Sequence, residues 1–147
     1  MPRVAPASVL EFPFETTRTA VSLIMSGAMT RYKNARFILS HAGGTLPFLV
    51  PRVALSISMM PAVAERVGDT LAAVRSFYFD TALSAGKSSL SALAQITDPD
   101  HILFGTDFPF APTTAIRQFG SVLDGIDIPG VEMDKVYGEN AARLLGR

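Results

Sequence analysis

Three short apolar runs, each followed by small or polar residues, constrain the fold of this chain more than any other feature. They occupy residues 36–41, 77–81 and 101–106, and segments of helical length lie between them. Runs of this length and composition are typical of strands buried on both faces. Parallel strands need a crossover connection, usually a helix, so the alternation predicts parallel βαβ units and an α/β fold.

The segments around the apolar runs predict helices. The helical stretches span residues 16–30, 45–58, 69–76, 87–97, 113–124 and 133–145. Thr16 or Thr17 is the expected N-cap of the first helix, because short hydroxyl side chains accept a hydrogen bond from the first free amides. Pro61 and the turn at residues 67–69 are expected to divide the long segment between the first two strands into two helical pieces.

The composition narrows the classes of function. The 147 residues suit a single domain over residues 1–147, and 48% of them are apolar, which is enough to build a buried core. Thirteen Lys and Arg balance thirteen Asp and Glu, so the chain lacks the positive charge typical of proteins that bind nucleic acid or anionic membranes. We therefore expect a small molecule or another protein as the partner.

Two further counts bear on the cellular compartment. The chain has no cysteine, which suits a reducing compartment, and we expect a cytoplasmic protein. The longest stretch without Asp, Glu, Lys or Arg, residues 37–51, has 15 residues, whereas about 20 apolar residues are needed to cross a bilayer. No membrane span and no secretory signal are expected.

Polar residues at the ends of the apolar runs are the candidate functional residues. His41 follows the first run, at the C-terminal strand end where ligands bind in parallel α/β sheets, and a hydrogen-bonded structural role is equally compatible with that position. Asp107 follows the third run, where a carboxylate serves as a metal ligand or general base, or caps the next segment. Asp80 follows the second run, and the sequence leaves open whether it points toward a site or toward the helix layer.

Two other features favour plainer interpretations. His101 opens the third run, which places it at the N-terminal rim of the sheet, and we expect a structural role there. The turn at residues 43–45, Gly-Gly-Thr, resembles an anion-binding turn because glycine permits positive φ and a helix follows. It matches neither the dinucleotide-binding spacing nor the Walker spacing.

Four motifs, in this order, resemble the C-terminal half of the amidohydrolase-related family. They are FILSHAGGTLP at residues 37–47, FYFDTAL at 77–83, ILFGTDFP at 102–109 and YGENAARLL at 137–145. The family includes the aminocarboxymuconate-semialdehyde and resorcylate decarboxylases and related hydrolases. The resemblance covers nearly the whole chain.

The resemblance implies a (β/α)₈ TIM barrel with one divalent metal ion, usually zinc, at its C-terminal face. The three strands of this chain would be the sixth, seventh and eighth. Asp107 would be a metal ligand and proton carrier, and His41 would act as acid and base or orient water or substrate. Arg52 matches an arginine that reaches the substrate carboxylate, in some members across a dimer contact; the alternative is a solvated charge on a helix.

The implied function is that of a metal-dependent decarboxylase or hydrolase acting on small carboxylated substrates. The His-x-His pair of the first strand and the histidine of the fifth have no counterpart in this sequence, and a full barrel needs about 250 residues. We therefore expect a truncated chain that is inactive alone and partners with a second copy or a missing N-terminal half. The alternative is a non-catalytic half-barrel remnant or interaction module that pairs through its open sheet edges.

Overall fold

The computed structural model describes residues 5–147, and its elements alternate as the apolar runs predict. The strands are β1 (Ile38–Leu39), β2 (Tyr78–Asp80) and β3 (Ile102–Leu103). The helices are α1 (Ala7–Met25), α2 (Ala28–Arg31), α3 (Leu46–Ser58), α4 (Pro61–Val67), α5 (Thr70–Arg75), α6 (Lys87–Ile96), α7 (Thr113–Asp124) and α8 (Asn140–Leu144). Short 3₁₀ turns cover His41–Gly43 and Pro99–His101, and a π-helical turn, Lys135–Glu139, leads into α8.

The three strands form one parallel sheet in the order β1-β2-β3. Leu39 pairs with Phe79, and Phe79 pairs with Ile102. All three side chains are buried in the hydrophobic core, together with residues of α1, α3 and α6. The predicted α/β class with parallel strands is therefore confirmed.

The opposite face of the sheet is partly uncovered. Ile38 lies on that face of β1 and is 52% exposed, whereas its neighbour Leu39 is 6% exposed. The prediction that every strand is buried on both faces is therefore wrong for β1. The reason is that the described helices pack against only one face of this strand, and successive side chains of a strand point to opposite faces.

The first helix begins well before the predicted residue 16. It runs from Ala7 to Met25, so Thr16 and Thr17 lie inside it and neither is the N-cap. Pro13 also lies inside this helix, where a proline removes one backbone hydrogen bond. This part of α1 packs on the turn at residues 43–45, where a Cβ at Gly44 would be 2.1 Å from the Pro13 carbonyl oxygen, a contact that the local sequence does not show.

The remaining helix boundaries follow their local signals. Asp69 caps α5, since its Oδ1 accepts hydrogen bonds from the amides of Leu71 and Ala72 at 2.8 and 3.1 Å. The breaks at Pro61 and at residues 67–69 are confirmed, but they divide the segment into three helices, α3, α4 and α5, and the prediction of two helical pieces is wrong. The helix predicted at 113–124 has those bounds, and the helix predicted at 87–97 ends one residue sooner.

Within residues 5–147, no single helix is long and apolar enough to cross a membrane. Only α3 and α4 taken together meet that test of length and composition, and a bend of 118° separates them. Val50, Val53 and Ile57 of α3 are buried in the core.

Candidate functional site

The carboxyl ends of the three strands form one edge of the sheet, and the candidate residues follow them. His41 comes after β1 and Asp107 after β3, with β2 between these strands. The two residues line a common pocket of about 430 Å³. The other residues that line it are Ser8, Phe12, Leu83, Phe110, Ala111 and Pro112. The topology thus brings together the histidine and the carboxylate that the sequence singles out.

His41 is held in an unusual backbone conformation. Its φ is +56° and that of Ala42 is +53°, a left-handed region that costs free energy for residues other than glycine. The His41 amide donates a hydrogen bond to Asp80 Oδ1 at 2.9 Å, and its ring Nδ1 lies 2.9 Å from the Ala82 carbonyl oxygen. A carbonyl oxygen only accepts, so Nδ1 carries the hydrogen and Nε2 keeps its lone pair.

Asp80 points toward the strand ends, which answers the question that the sequence leaves open. Its Oδ1 accepts hydrogen bonds from the amides of His41 and Ala82 at 2.9 and 3.0 Å. Its side chain also lies against the segment after β3, because a Cβ placed at Gly105 would be 2.9 Å from Asp80 Cβ and Cγ. The Asp80 carboxylate is therefore hydrogen-bonded to the segments that follow β1 and β2, and its side chain is in close contact with the segment that follows β3.

Thr81 adds a second connection between β2 and the segment after β3. It is buried, and its Oγ1 accepts a hydrogen bond from the Gly105 amide at 3.2 Å. Nothing in the sequence pattern singles out Thr81. Gly105 is the signal that points to this contact, since a glycine at the end of a strand marks a close approach of another part of the chain.

Asp107 does not cap the following segment. Its φ is +63°, a conformation that aspartate tolerates better than most residues. Its backbone carbonyl accepts a hydrogen bond from the Ala111 amide at 2.9 Å, while the Thr106 hydroxyl accepts one from the Phe108 amide. The N-cap of α7 is Pro112. Within the described chain the Asp107 carboxylate makes no hydrogen bond, so the capping alternative is wrong.

Arg52 lies apart from this pocket. It is exposed on α3 and lines a second cavity of about 430 Å³ between α1 and α3, which it shares with Phe14, Arg18 and Leu49. The fold of a single chain therefore does not bring Arg52 together with His41 and Asp107. Its contact with a substrate stays a prediction.

His101 lies at the other end of the sheet, where the sequence predicts it. Its ring stacks on Tyr78 with the centroids 4.1 Å apart, and its Nδ1 lies 3.0 Å from the Phe77 carbonyl oxygen. These contacts tie the start of β3 to β2. They supply a structural role for this histidine.

The turn at residues 43–45 is engaged within the protein and is not an anion site. The Gly43 and Gly44 amides donate to the carbonyl oxygens of Ser40 and His41. The Thr45 amide donates to Thr17 Oγ1 at 2.8 Å. The resemblance to an anion-binding turn is therefore misleading, because these amides already have acceptors.

The described residues do not by themselves complete a metal site. No group of three or more His, Cys, Asp or Glu side chains converges anywhere in residues 5–147. A catalytic zinc site usually has three protein ligands and a water molecule. The pocket offers the Asp107 carboxylate and the His41 imidazole, so further ligands would have to come from another polypeptide segment.

The fold and the strand-end pocket define this chain as an α/β protein of the amidohydrolase type. Residues 6–147 match the amidohydrolase family, and the chain belongs to it. The resemblance read from the four motifs is confirmed.

Two curated relatives are decarboxylases. The 6-methylsalicylic acid decarboxylase of Penicillium expansum is 42% identical over 143 residues, which cover 97% of this chain and 44% of that protein. The 2-amino-3-carboxymuconate-6-semialdehyde decarboxylase of Dictyostelium discoideum is 24% identical over 149 residues, which cover 99% of this chain and 41% of that protein. The chain thus spans less than half the length of these relatives.

Two solved structures share the fold. A crystal structure described as an amidohydrolase II superposes with a TM-score of 0.82 at 26% identity, covering 100% of this chain and 48% of that one. The 5-carboxyvanillate decarboxylase of Novosphingobium aromaticivorans, in complex with manganese and 4-hydroxy-3-methoxy-5-nitrobenzoic acid, superposes with a TM-score of 0.78 at 18% identity, covering 95% and 41%. The second likeness shows the fold alone.

Proposed function

We propose that this chain is the C-terminal half of a (β/α)₈ barrel, with β1, β2 and β3 as its sixth, seventh and eighth strands. It would carry part of the active site of a metal-dependent decarboxylase of small aromatic carboxylic acids. The observation that carries this proposal is the common pocket of His41 and Asp107 at the carboxyl edge of the sheet. In TIM-barrel enzymes, chemistry takes place at that edge.

His41 is proposed as the residue that transfers the proton. Decarboxylation breaks the bond between a ring carbon and the carboxylate carbon, releases CO₂ and forms a C–H bond, so a proton must reach that carbon. Imidazole is the side chain most often used for such a transfer. Because His41 Nδ1 is engaged by the Ala82 carbonyl oxygen, Nε2 is the nitrogen that would exchange the proton.

Asp107 is proposed as one ligand of a divalent metal ion. Its carboxylate is free of hydrogen bonds in the described chain, and carboxylate oxygens suit several divalent ions. A bound ion would supply positive charge to hold the substrate oxygens. The 5-carboxyvanillate decarboxylase that shares this fold is in complex with manganese, so manganese is one of the ions to test. We keep zinc, the metal implied by the resemblance, as a prediction for metal analysis.

Arg52 is proposed to bind the substrate carboxylate from a second copy of the chain. A guanidinium holds a carboxylate through two parallel hydrogen bonds. Arg52 lies outside the pocket of its own chain, so α3 of another copy would have to approach that pocket. The proposal thus requires two things: a second copy of this chain, which supplies Arg52, and a polypeptide segment that supplies the missing metal ligands.

The test is a chimera with a relative. The segment of the Penicillium expansum decarboxylase that matches this chain is replaced by residues 6–147, and CO₂ release from 6-methylsalicylate and other hydroxybenzoates is measured with manganese or zinc. We expect release of one CO₂ per substrate, with 3-methylphenol as the product from 6-methylsalicylate. A folded, metal-loaded chimera that turns over none of these acids would overturn the proposal.

Matched variants of the chimera test the named residues. Asp107→Ala should lower kcat at least a hundredfold and release the metal, whereas Asp127→Ala, which removes an exposed carboxylate from a loop, should change neither. His41→Asn should lower kcat by a factor of about 10² to 10⁴ with the metal retained. Equal effects of the two aspartate variants would contradict the role of Asp107.

The second candidate function is that of a non-catalytic interaction module. Phe108 and Phe110 are 75% and 86% exposed beside the pocket, and exposed apolar side chains of this size mark surfaces that other proteins cover. Two results together would favour this function: the chimera is inactive, and the chain binds tightly to the N-terminal part of the Penicillium expansum decarboxylase.

A further inference from the structure

Asp80 and the residues it contacts form a closed set of hydrogen bonds around His41. Asp80 Oδ1 accepts from the His41 amide at 2.9 Å and from the Ala82 amide at 3.0 Å. The carbonyl oxygen of the same Ala82 accepts from His41 Nδ1, 2.9 Å away. The carboxylate therefore holds both the backbone of the histidine and the amide of the residue whose carbonyl oxygen orients its ring.

Asp80 contacts a backbone segment, residues 41–42, whose left-handed conformation is unfavourable unless other contacts hold it. His41 and Ala42 have φ of +56° and +53°, and neither is a glycine. Such conformations persist only where surrounding contacts hold them. A carboxylate acceptor makes stronger hydrogen bonds to backbone amides than a neutral acceptor does.

The position of the Ala82 carbonyl decides which nitrogen of His41 carries the hydrogen. A carbonyl oxygen has no hydrogen to donate, so the neutral ring is kept in the Nδ1–H form with its lone pair on Nε2. In water, neutral histidine favours the opposite form, with the hydrogen on Nε2. Loss of the Ala82 contact should therefore reverse the tautomer.

We propose that Asp80 is a positioning residue that sets the tautomer of His41. Its Oδ1 accepts from the amides of His41 and Ala82 and so holds the turn at residues 41–42 next to residue 82, whose carbonyl oxygen keeps the hydrogen on Nδ1 and the lone pair on Nε2. The side chain itself is held against Gly105, where a Cβ would be 2.9 Å from Asp80 Cγ. The consequence for catalysis rests on the proposed function of His41, whereas the tautomer does not.

The test is ¹⁵N NMR of the histidine side chains in the full 147-residue chain. The chain has two histidines, and His101→Gln identifies the signals of His41. At a pH of about 8, where an ordinary imidazole is neutral, wild-type His41 should show a protonated Nδ1 and an unprotonated Nε2. A wild-type His41 with its hydrogen on Nε2 would overturn the proposal without any variant at Asp80.

Variants at Asp80 separate positioning from general stability. Asp80→Asn keeps an oxygen that accepts both amides, so His41 should stay in the Nδ1–H form. Asp80→Ala removes the acceptor, and the signals should shift toward the Nε2–H form. Asp69→Ala is the matched control, since Asp69 Oδ1 also accepts two amides, at 2.8 and 3.1 Å, and its loss should leave the His41 signals unchanged.

Each outcome decides for or against the proposal. A folded Asp80→Ala variant with unchanged His41 signals overturns it, as does an equal change in the Asp69→Ala variant or a switched tautomer in Asp80→Asn. If Asp80→Ala does not fold, the wild-type and Asp80→Asn spectra decide, and the Nδ1–H form in both supports the proposal.

Kinetics of the chimera then test the catalytic consequence. Asp80→Ala should lower kcat about tenfold or more with KM within about threefold, and Asp80→Asn should restore most of the loss. If the chimera has no decarboxylase activity, the proposed function fails while the tautomer measurement still decides the role of Asp80. Failure of the two proposals is therefore distinguishable.

Discussion

At the scale of single residues, some motif positions have a structural role and no catalytic one, and buried side-chain hydrogen bonds account for their place in the motif. Asn140, in the last motif, is 1% exposed. Its Nδ2 donates to the carbonyl oxygens of Pro99 and Ile102 at 3.0 and 2.9 Å. These bonds tie α8 to the start of β3, so Asn140 anchors the last helix to the sheet.

Replacement of Asn140 should therefore destabilise the chain. Asn140→Ala leaves two buried carbonyl groups without this donor and a small cavity, and we expect the free energy of unfolding to fall by about 2–3 kcal/mol. Urea denaturation followed by circular dichroism measures the change. Asn34→Ala, at an exposed position, is the control and should change stability by less than about 0.5 kcal/mol. Equal effects would argue against the anchor.

Tyr137 predicts that the stability of the fold decreases at alkaline pH. Burial raises its pKa to about 12, and a hydrogen bond from its hydroxyl to the Asp124 carboxylate acts in the same direction. The fold favours the neutral phenol, so this contribution to stability is complete below pH 10 and is lost as pH rises through about 12. In a titration followed at 295 nm, Tyr137→Phe should remove an ionisation step near pH 12. A wild-type chain whose tyrosines all ionise together near pH 10 would contradict this.

At the scale of elements, the sequence predicts what local patterns and topology determine. The strands and most helix bounds follow from apolar runs and breakers. The shared edge of His41 and Asp107 follows because parallel strands end on the same side. The start of α1 could not be predicted, because Pro13 is locally a helix breaker and the packing of α1 on the turn at residues 43–45 is not visible in the local sequence. The contacts of Asp80 depend on the left-handed backbone at residues 41–42 and on the close approach of Gly105. No local sequence pattern specifies either of these.

The packing of α1 on that turn can be tested at Gly44. A Cβ there would be 2.1 Å from the Pro13 carbonyl oxygen, and φ is +64°. Gly68 has a similar φ of +70° with no atom within 4 Å of such a Cβ, so Gly68→Ala measures the conformational cost alone, about 1 kcal/mol. We expect Gly44→Ala to cost at least about 2 kcal/mol more in urea denaturation, since backbone must shift. Equal costs would show that α1 does not press on this turn.

At the scale of the whole molecule, exposed apolar side chains lie on the uncovered side of the sheet and beside the pocket. Ile38, Phe104, Phe108 and Phe110 are all at least 40% exposed, close to the strand ends that carry the candidate site. Parallel sheets are usually covered on both faces. A polypeptide that covers this side would therefore also be the one placed to supply further groups to the pocket.

Measuring the metal content of the purified chain tests whether this chain alone can hold a divalent ion. Among the described residues Asp107 is the one proposed metal ligand, with the His41 imidazole beside it in the pocket, and no group of three possible ligands converges there. One carboxylate holds a divalent ion weakly against water, because catalytic sites usually use three protein ligands. We therefore expect the purified chain, dialysed against metal-free buffer, to contain well under one equivalent of zinc or manganese. The chimera should contain about one equivalent of metal, and its Asp107→Ala variant should lose that metal.

A different result would show that two copies of the chain complete the site between them. The chain alone would then contain nearly one equivalent of metal, Asp107→Ala would remove it, and analytical ultracentrifugation should find a dimer that depends on the metal.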